Sequence, residues 1–206
     1  MIEFLEFSVL VIIISASGVM APGPLFAANL VYGLKQGTKS GIKMAVGHTI
    51  VELPLIVLLG IGVFSLESFP EFRTIISIFG AITLFVFAAI QIKSLFRKNE
   101  LTHFNPKQGP LITGILLSAL NPFFIIWWLT IGFKLIADAM MIWAFAGILI
   151  VFVLHIWMDF VWLGAISFLA SKTKKIISNN IYKIVLGGLS IMLIYFGITF
   201  LLDTFH

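Results

Sequence analysis

Apolar residues in this chain come in long unbroken stretches, and short charged runs separate them. A helix needs about 20 predominantly apolar residues to cross the hydrocarbon core of a bilayer. Six stretches reach that length, at about 4–34, 42–65, 73–95, 111–133, 140–170 and 181–202. The pattern predicts an all-α integral membrane protein with six transmembrane helices in a single domain, 1–206. In the first stretch Ser15-Ala16-Ser17 resembles a cleavage site, but the residues before it include Glu3 and Glu6 and no Lys or Arg. That is the wrong flank for a signal peptide, so the segment is expected to stay as a helix.

The charges test this count, because a wrong number of spans would scramble the alternation of sides. Eleven of the 13 basic residues fall on one side. They are Lys35, Lys39 and Lys43 after span 1; Lys93, Arg97, Lys98 and Lys107 after span 3; and Lys172, Lys174, Lys175 and Lys183 after span 5. The other side holds Arg73 and Lys134 with Glu3, Glu6, Glu67, Glu71, Asp138 and Asp203. The positive-inside rule then predicts loops 35–43, 93–110 and 171–183 cytoplasmic and both termini outside; the expected location is the plasma membrane.

Composition agrees with this. The chain is 60% hydrophobic and 11% charged, against roughly 45–50% and about 25% in soluble domains, and its mean hydropathy is +1.13. One soluble core of this length cannot bury so much apolar surface, and a disordered chain would not carry it. The net charge of +4 sits in short inter-span runs, so it reads as topology and predicts no nucleic-acid partner. With no cysteine, thiolate metal sites, disulfides and cysteine nucleophiles are excluded.

Three spans in each half is an odd number, so if the halves are repeats they enter the membrane from opposite sides. The expected architecture is two inverted 3+3 repeats, 1–96 and 111–206, joined by a cytoplasmic linker at 97–110. Matching polar marks support the pairing. Span 1 is interrupted by Ala21-Pro22-Gly23-Pro24 and span 4 by Asn121-Pro122, so the first helix of each repeat is broken at proline. Span 2 carries His48 and Glu52, and span 5 carries His155 and Asp159, at the same i, i+4 spacing. Interruptions at corresponding places in two halves are the sequence sign of a transporter site near the midplane.

A break in a membrane helix frees carbonyls that must face protein or a water-filled cavity, so Pro22, Gly23, Pro24, Asn121 and Pro122 are candidate site backbone. The alternative is a packing kink. The i, i+4 spacing places His48 and Glu52, and likewise His155 and Asp159, about 6 Å apart along one helix face. A carboxylate at this depth must turn inward and be paired, hydrated or protonated. Burial penalises its charged form while a neighbouring imidazole favours it, which makes such a group a natural proton carrier. The alternative is that each histidine only satisfies its own neighbour in a structural network. Two imidazoles and two carboxylates also match a divalent-metal site, if they converge.

Of the tryptophans, Trp162 lies one turn after Asp159 on the same face and is a candidate substrate contact. Trp143 fits an outer interfacial belt, and Trp127 and Trp128 are expected to pack against lipid. Gly41 with Ala45, and Gly114 with Ser118, have the spacing that lets helices approach closely. His103 and His206 are expected at the surface. There is no HExxH, no serine elbow and no sizeable soluble domain, so no enzyme, resident metal or cofactor is expected.

With these residues laid out, the chain resembles the LysE/RhtB family of amino-acid exporters. The likeness runs through Ala21-Pro22-Gly23-Pro24, the Gly-rich basic stretch Lys35-Gln36-Gly37-Thr38-Lys39-Ser40-Gly41, and Gly47-His48. It continues through Phe79-Gly80-Ala81 to Lys93, Leu120-Asn121-Pro122, Asp159 with Trp162, and Gly187-Gly188 with Gly197. The resemblance implies export of amino acids or similar small metabolites driven by the proton gradient, while the residues themselves point to alternating access around a midplane site. Glu52 and His155 depart from the family pattern. They leave a cationic amino acid, another metabolite or a metal cation open as substrate. The expected partners are that substrate, protons and the lipid bilayer, with a homodimer left open.

Overall fold

A computed structural model describes residues 2–21, 23–66, 72–95, 108–172 and 179–202, and all regular secondary structure among them is helical. The elements are α1 (Ile2–Val19), α2 (Pro24–Gln36), α3 (Thr38–Leu66), α4 (Phe72–Leu95), α5 (Pro110–Ala119), α6 (Pro122–Trp127), a π-helical turn (Trp128–Gly132), α7 (Phe133–Trp143), α8 (Ala146–Lys172) and α9 (Asn179–Leu202). Among the described residues, three helices are long and apolar enough to cross a membrane, Thr38–Val63, Phe123–Trp143 and Ala146–Lys172. A fourth is formed by α1 and α2 if that pair, bent by 73°, counts as one span.

Proline placement explains both interruptions. Pro24 and Pro122 open α2 and α6 at a helix start, where the missing N–H costs nothing and the fixed φ suits the helix. Asn121 caps α6 by accepting the Phe123 amide on Oδ1 at 3.0 Å. Each proline therefore begins a new helix after a short gap instead of kinking a continuous one. Pro22 lies outside the described residues.

The interior is mostly apolar, as in a soluble protein, but the surface is apolar too, and a few polar residues are buried together. Large apolar residues such as Leu58, Ile82, Leu149, Val153 and Ile191 are exposed along the helices, while Asn29, His48, Glu52, Ser118, His155, Asp159 and Ser167 are buried. Such a surface suits lipid, and such an interior needs its polar groups paired. α3 runs against both α5 and α8, α2 against α8, and α4 against α9. Small residues set the closest crossings. A Cβ on Gly47 would overlap the Leu111 carbonyl, one on Gly114 would overlap the Met44 carbonyl, and one on Gly41 would overlap the Leu163 carbonyl. The buried Asn29 ties α2 to α8, donating Nδ2–H to the Leu163 carbonyl (2.8 Å) and accepting from Ser167 Oγ (2.7 Å). Tyr32 ties α2 to α5 through Thr113 Oγ1 (3.0 Å) and the Gln108 carbonyl.

Several sequence expectations are corrected. The fourth stretch does not end at 133. It breaks after Ala119 and resumes as a helix through Trp143, leaving only Ala144 and Phe145 before α8. Lys134 and Asp138, expected in an outer loop, lie on that helix with Lys134 buried and its Nζ 2.8 Å from Asp138 Oδ2. The i, i+4 pair neutralises itself, so neither charge ends the helix. The expected loop 35–43 is also helical. α2 and α3 meet at Gly37, whose φ of 69° only glycine adopts readily, and Lys35, Lys39 and Lys43 are exposed on the flanking turns. Arg97, Lys98, His103, Lys107, Lys174, Lys175 and His206 lie outside the described residues.

Candidate functional site

α3 and α8 pack along one another, so their two polar faces meet. His48 and Glu52 come from α3, and His155 and Asp159 from α8; all four are buried. His155 Nε2 stands 3.1 Å from Glu52 Oε1 and 3.4 Å from Asp159 Oδ2. His48 Nε2 stands 3.6 Å from Glu52 Oε1 and 3.8 Å from Asp159 Oδ1. Each imidazole thus bridges both carboxylates, and the cluster joins the two halves of the chain.

Ser118 Oγ, at the end of α5, lies 2.6 Å from His48 Nδ1 and 2.7 Å from the Gly114 carbonyl, and its single proton serves one of them at a time. With the proton on Gly114, a neutral His48 donates from Nδ1 and turns a bare Nε2 toward the two carboxylates; with the proton on His48 Nδ1, Nε2–H points at the carboxylates. The doubly protonated imidazole donates on both sides, to Ser118 and to the carboxylates.

The two carboxylates differ in position. Glu52 Oε1 also accepts Trp128 Nε1–H at 3.1 Å, and Glu52 is fully buried behind the imidazoles. Asp159 borders a cavity of about 150 Å³ with His48 and His155. The cavity lies between the two helix interruptions, bounded by Ala21, Gly23 and Pro24 on one side and by Ser118 and Asn121 on the other. Its walls are aromatic, with Phe26, Phe124, Trp127 and Trp162 among them. Phe124 packs edge-on against His48, with ring centroids 4.9 Å apart, and the rings of Trp127 and Trp128 lie 5.4 and 4.9 Å from His155.

Of the residues singled out in the sequence, Gly23, Pro24, Asn121, His48, His155, Asp159 and Trp162 line this cavity, and Glu52 stands one layer behind it. The side chain of Pro122 is outside the described residues. Trp127 and Trp128 correct the sequence reading, since both are buried at the site instead of facing lipid. The π-helical turn at Trp128 shifts the helix register there, so an all-apolar stretch gives no warning of which face turns inward. Ser118, expected only as a packing residue, holds His48. Trp143 packs edge-on against Phe4 and Phe7, with ring centroids 5.7 and 5.1 Å apart.

Among comparisons with known proteins, a family model described as LysE type translocator matches residues 16–204. No curated protein and no solved structure matches the chain.

Proposed function

The chain belongs to the LysE type translocator family, and from that premise we propose that it exports amino acids or similar small metabolites across the plasma membrane. Repeats 1–96 and 111–206, inverted and joined by the cytoplasmic linker 97–110, rock against each other around the cavity, with both termini outside. The observation that carries this reading is a cavity of about 150 Å³ set between two helix breaks and bordered by Asp159, His48 and His155. Since about 10–15 Å³ of such space suffices for one water, the cavity takes several waters and has room for a small amino acid. The broken-helix backbone at Gly23-Pro24 and Asn121-Pro122 receives the zwitterion. Asp159 meets the amine, and the His48, Glu52, His155 and Asp159 cluster passes the coupling proton. Glu52, which does not line the cavity, acts through the two imidazoles.

Counterflow tests this. Proteoliposomes loaded with each of the twenty amino acids in turn are expected to exchange at least one of them with label outside. Asp159→Asn and Glu52→Gln are expected to lower proton-driven transport by tenfold or more. Wild-type rates in both variants would remove the carboxylates from the mechanism.

A second reading is favoured by the donor geometry, with a divalent metal ion as substrate. One ligand atom from each of His48, Glu52 and Asp159 falls within 4.8 Å of the others. Ligands at about 2.0–2.1 Å from a tetrahedral zinc stand about 3.3–3.4 Å apart, and His48 Nε2 stands 3.6 and 3.8 Å from the carboxylate oxygens of this group. Ser118 would be the outer partner orienting His48. Under this reading zinc or manganese at micromolar levels raises the melting temperature and is transported, and no amino acid is.

A further inference from the structure

The interior differs on the two sides of the ionisable cluster. The main apolar core takes its α3 residues from Leu55 onward and its α8 residues only up to Leu154, so it lies on one side of Glu52 and His155. Among the described residues it includes none from α2 or α5. On the other side, toward the exposed Lys35, Lys39 and Lys172, the apolar clusters are two small groups, Ala28 with Tyr32 and Met44, and Leu30 with Ile166 and Ala170. Regions with few buried apolar contacts are the ones that open at the lowest free-energy cost.

α2 fills that side. Its first turn, with Pro24, Leu25 and Phe26, lines the cavity, and its later turns run along α8, where a Cβ on Gly33 would stand 2.7 Å from Ser167 Cα. From Asp159 on the cavity to Lys172, α8 covers about 20 Å, and the 13 residues of α2 cover about the same length. Polar contacts hold α2 in place. Asn29 joins the Leu163 carbonyl and Ser167 Oγ on α8, and Tyr32 joins Thr113 Oγ1 on α5. The helix is also jointed at both ends. It meets α1 at a 73° bend beside Gly23, and α3 at the single residue Gly37 with φ 69°. A short element between two such joints has the form of a hinged lid. α3 and α8 are bound differently, by the Gly41 crossing on the Leu163 carbonyl and by the four-residue cluster.

We propose that α2 is the gate between the cavity and the lysine-bearing end of the bundle. It swings on its two joints, releasing Asn29 from α8 and Tyr32 from α5, while α3 and α8 stay together as the frame. This rests on the exporter reading and narrows it, since the part of repeat 1–96 that moves on this side is one helix. The chemistry of the contacts suits the movement. Water entering behind a released α2 takes over the hydrogen bonds of Asn29, Tyr32, Thr113 and Ser167, so little is lost when they part. A helix held by a large apolar face would have no such replacement.

With no native cysteine, the helices can be locked in chosen pairs. Asn29→Cys with Ser167→Cys spans α2 and α8, where Asn29 Oδ1 and Ser167 Oγ stand 2.7 Å apart. Ser40→Cys with Ser167→Cys spans α3 and α8, where the two hydroxyl oxygens stand 3.5 Å apart. Each full-length double variant is oxidised with diamide in proteoliposomes, and exchange of the best-transported amino acid of the counterflow screen is measured before oxidation, after it and after dithiothreitol. The α2–α8 disulfide is expected to lower exchange at least tenfold and reversibly, and the α3–α8 disulfide less than twofold. Equal losses from the two, or no loss from the first, overturn the gate. A second measurement needs no cross-link. With Leu163→Cys on the cavity wall, adding Asn29→Ala is expected to speed labelling by a water-soluble maleimide at least threefold in detergent, and an unchanged rate overturns the gate. Labelling decides alone where a disulfide does not form, and also where the wild type exchanges no amino acid, a result that overturns the exporter reading and not the gate.

Discussion

Adjacent tryptophans at 127 and 128 offer a controlled perturbation, because both are buried in one cluster and only one has a partner. Trp128 donates its indole N–H to the fully buried Glu52 at 3.1 Å, whereas Trp127 Nε1 has no hydrogen-bond partner among the described residues. Phenylalanine removes the same ring volume at either position, so the packing losses largely cancel in the comparison. What remains is the N–H. A hydrogen bond to a charged group contributes about 1.5–3 kcal/mol, and a buried donor without a partner carries a desolvation cost that its removal relieves. Trp128→Phe is therefore expected to be less stable than Trp127→Phe by at least about 1.5–3 kcal/mol. For a chain of this length that is roughly 3–12 °C in melting temperature. Far-UV circular dichroism of the detergent-solubilised protein is the suitable assay, since loss of an indole changes fluorescence whether or not stability changes. Equal melting temperatures, or Trp127→Phe melting lower, would refute the assignment of the Glu52 partner.

The helix crossings give a second contrast. Gly47→Val and Gly114→Val push the α3 and α5 backbones apart at the point where an added Cβ overlaps a carbonyl, and are expected to lower stability by about 1–3 kcal/mol or more. Gly187→Ala, where an added Cβ meets nothing within 4 Å, is expected to melt within a few degrees of wild type. In the turn between α7 and α8, Ala144 has φ 46°. Ala144→Gly is expected to raise stability by about 1 kcal/mol by relieving that strain, and a fall in melting temperature would contradict it.

Much of this was legible in the residues. Pro24 and Pro122 each open a helix where a break was expected, and the i, i+4 pairs His48 with Glu52 and His155 with Asp159, whose convergence the residues left open, meet face to face across α3 and α8. Periodicity carries that information because a lone polar pair on an apolar helix has one way to face. The same logic fails at Trp127 and Trp128. A helix apolar on every side has no preferred inward face in its sequence, and the π-helical turn changes the register where it matters. It fails again at Lys134, where charge is a guide to helix ends only when it is not neutralised one turn away. The different depths of Glu52 and Asp159 were hidden as well, because depth behind the imidazoles is set by the packing of α3 on α8 and leaves no mark along the chain.

The central claim is that substrate occupies the space between the two helix breaks, and the absence of native cysteine makes it directly accessible to measurement. Ala21→Cys places one thiol on the cavity wall, to be labelled with a small water-soluble maleimide in proteoliposomes with and without the transported amino acid. The account predicts labelling that the amino acid slows in proportion to its occupancy, while a thiol placed at the exposed α2–α3 junction by Lys39→Cys, away from the cavity, is labelled at a rate unaffected by it. Labelling of Ala21→Cys at one rate, whatever the concentration of a substrate shown to be transported, would contradict the account.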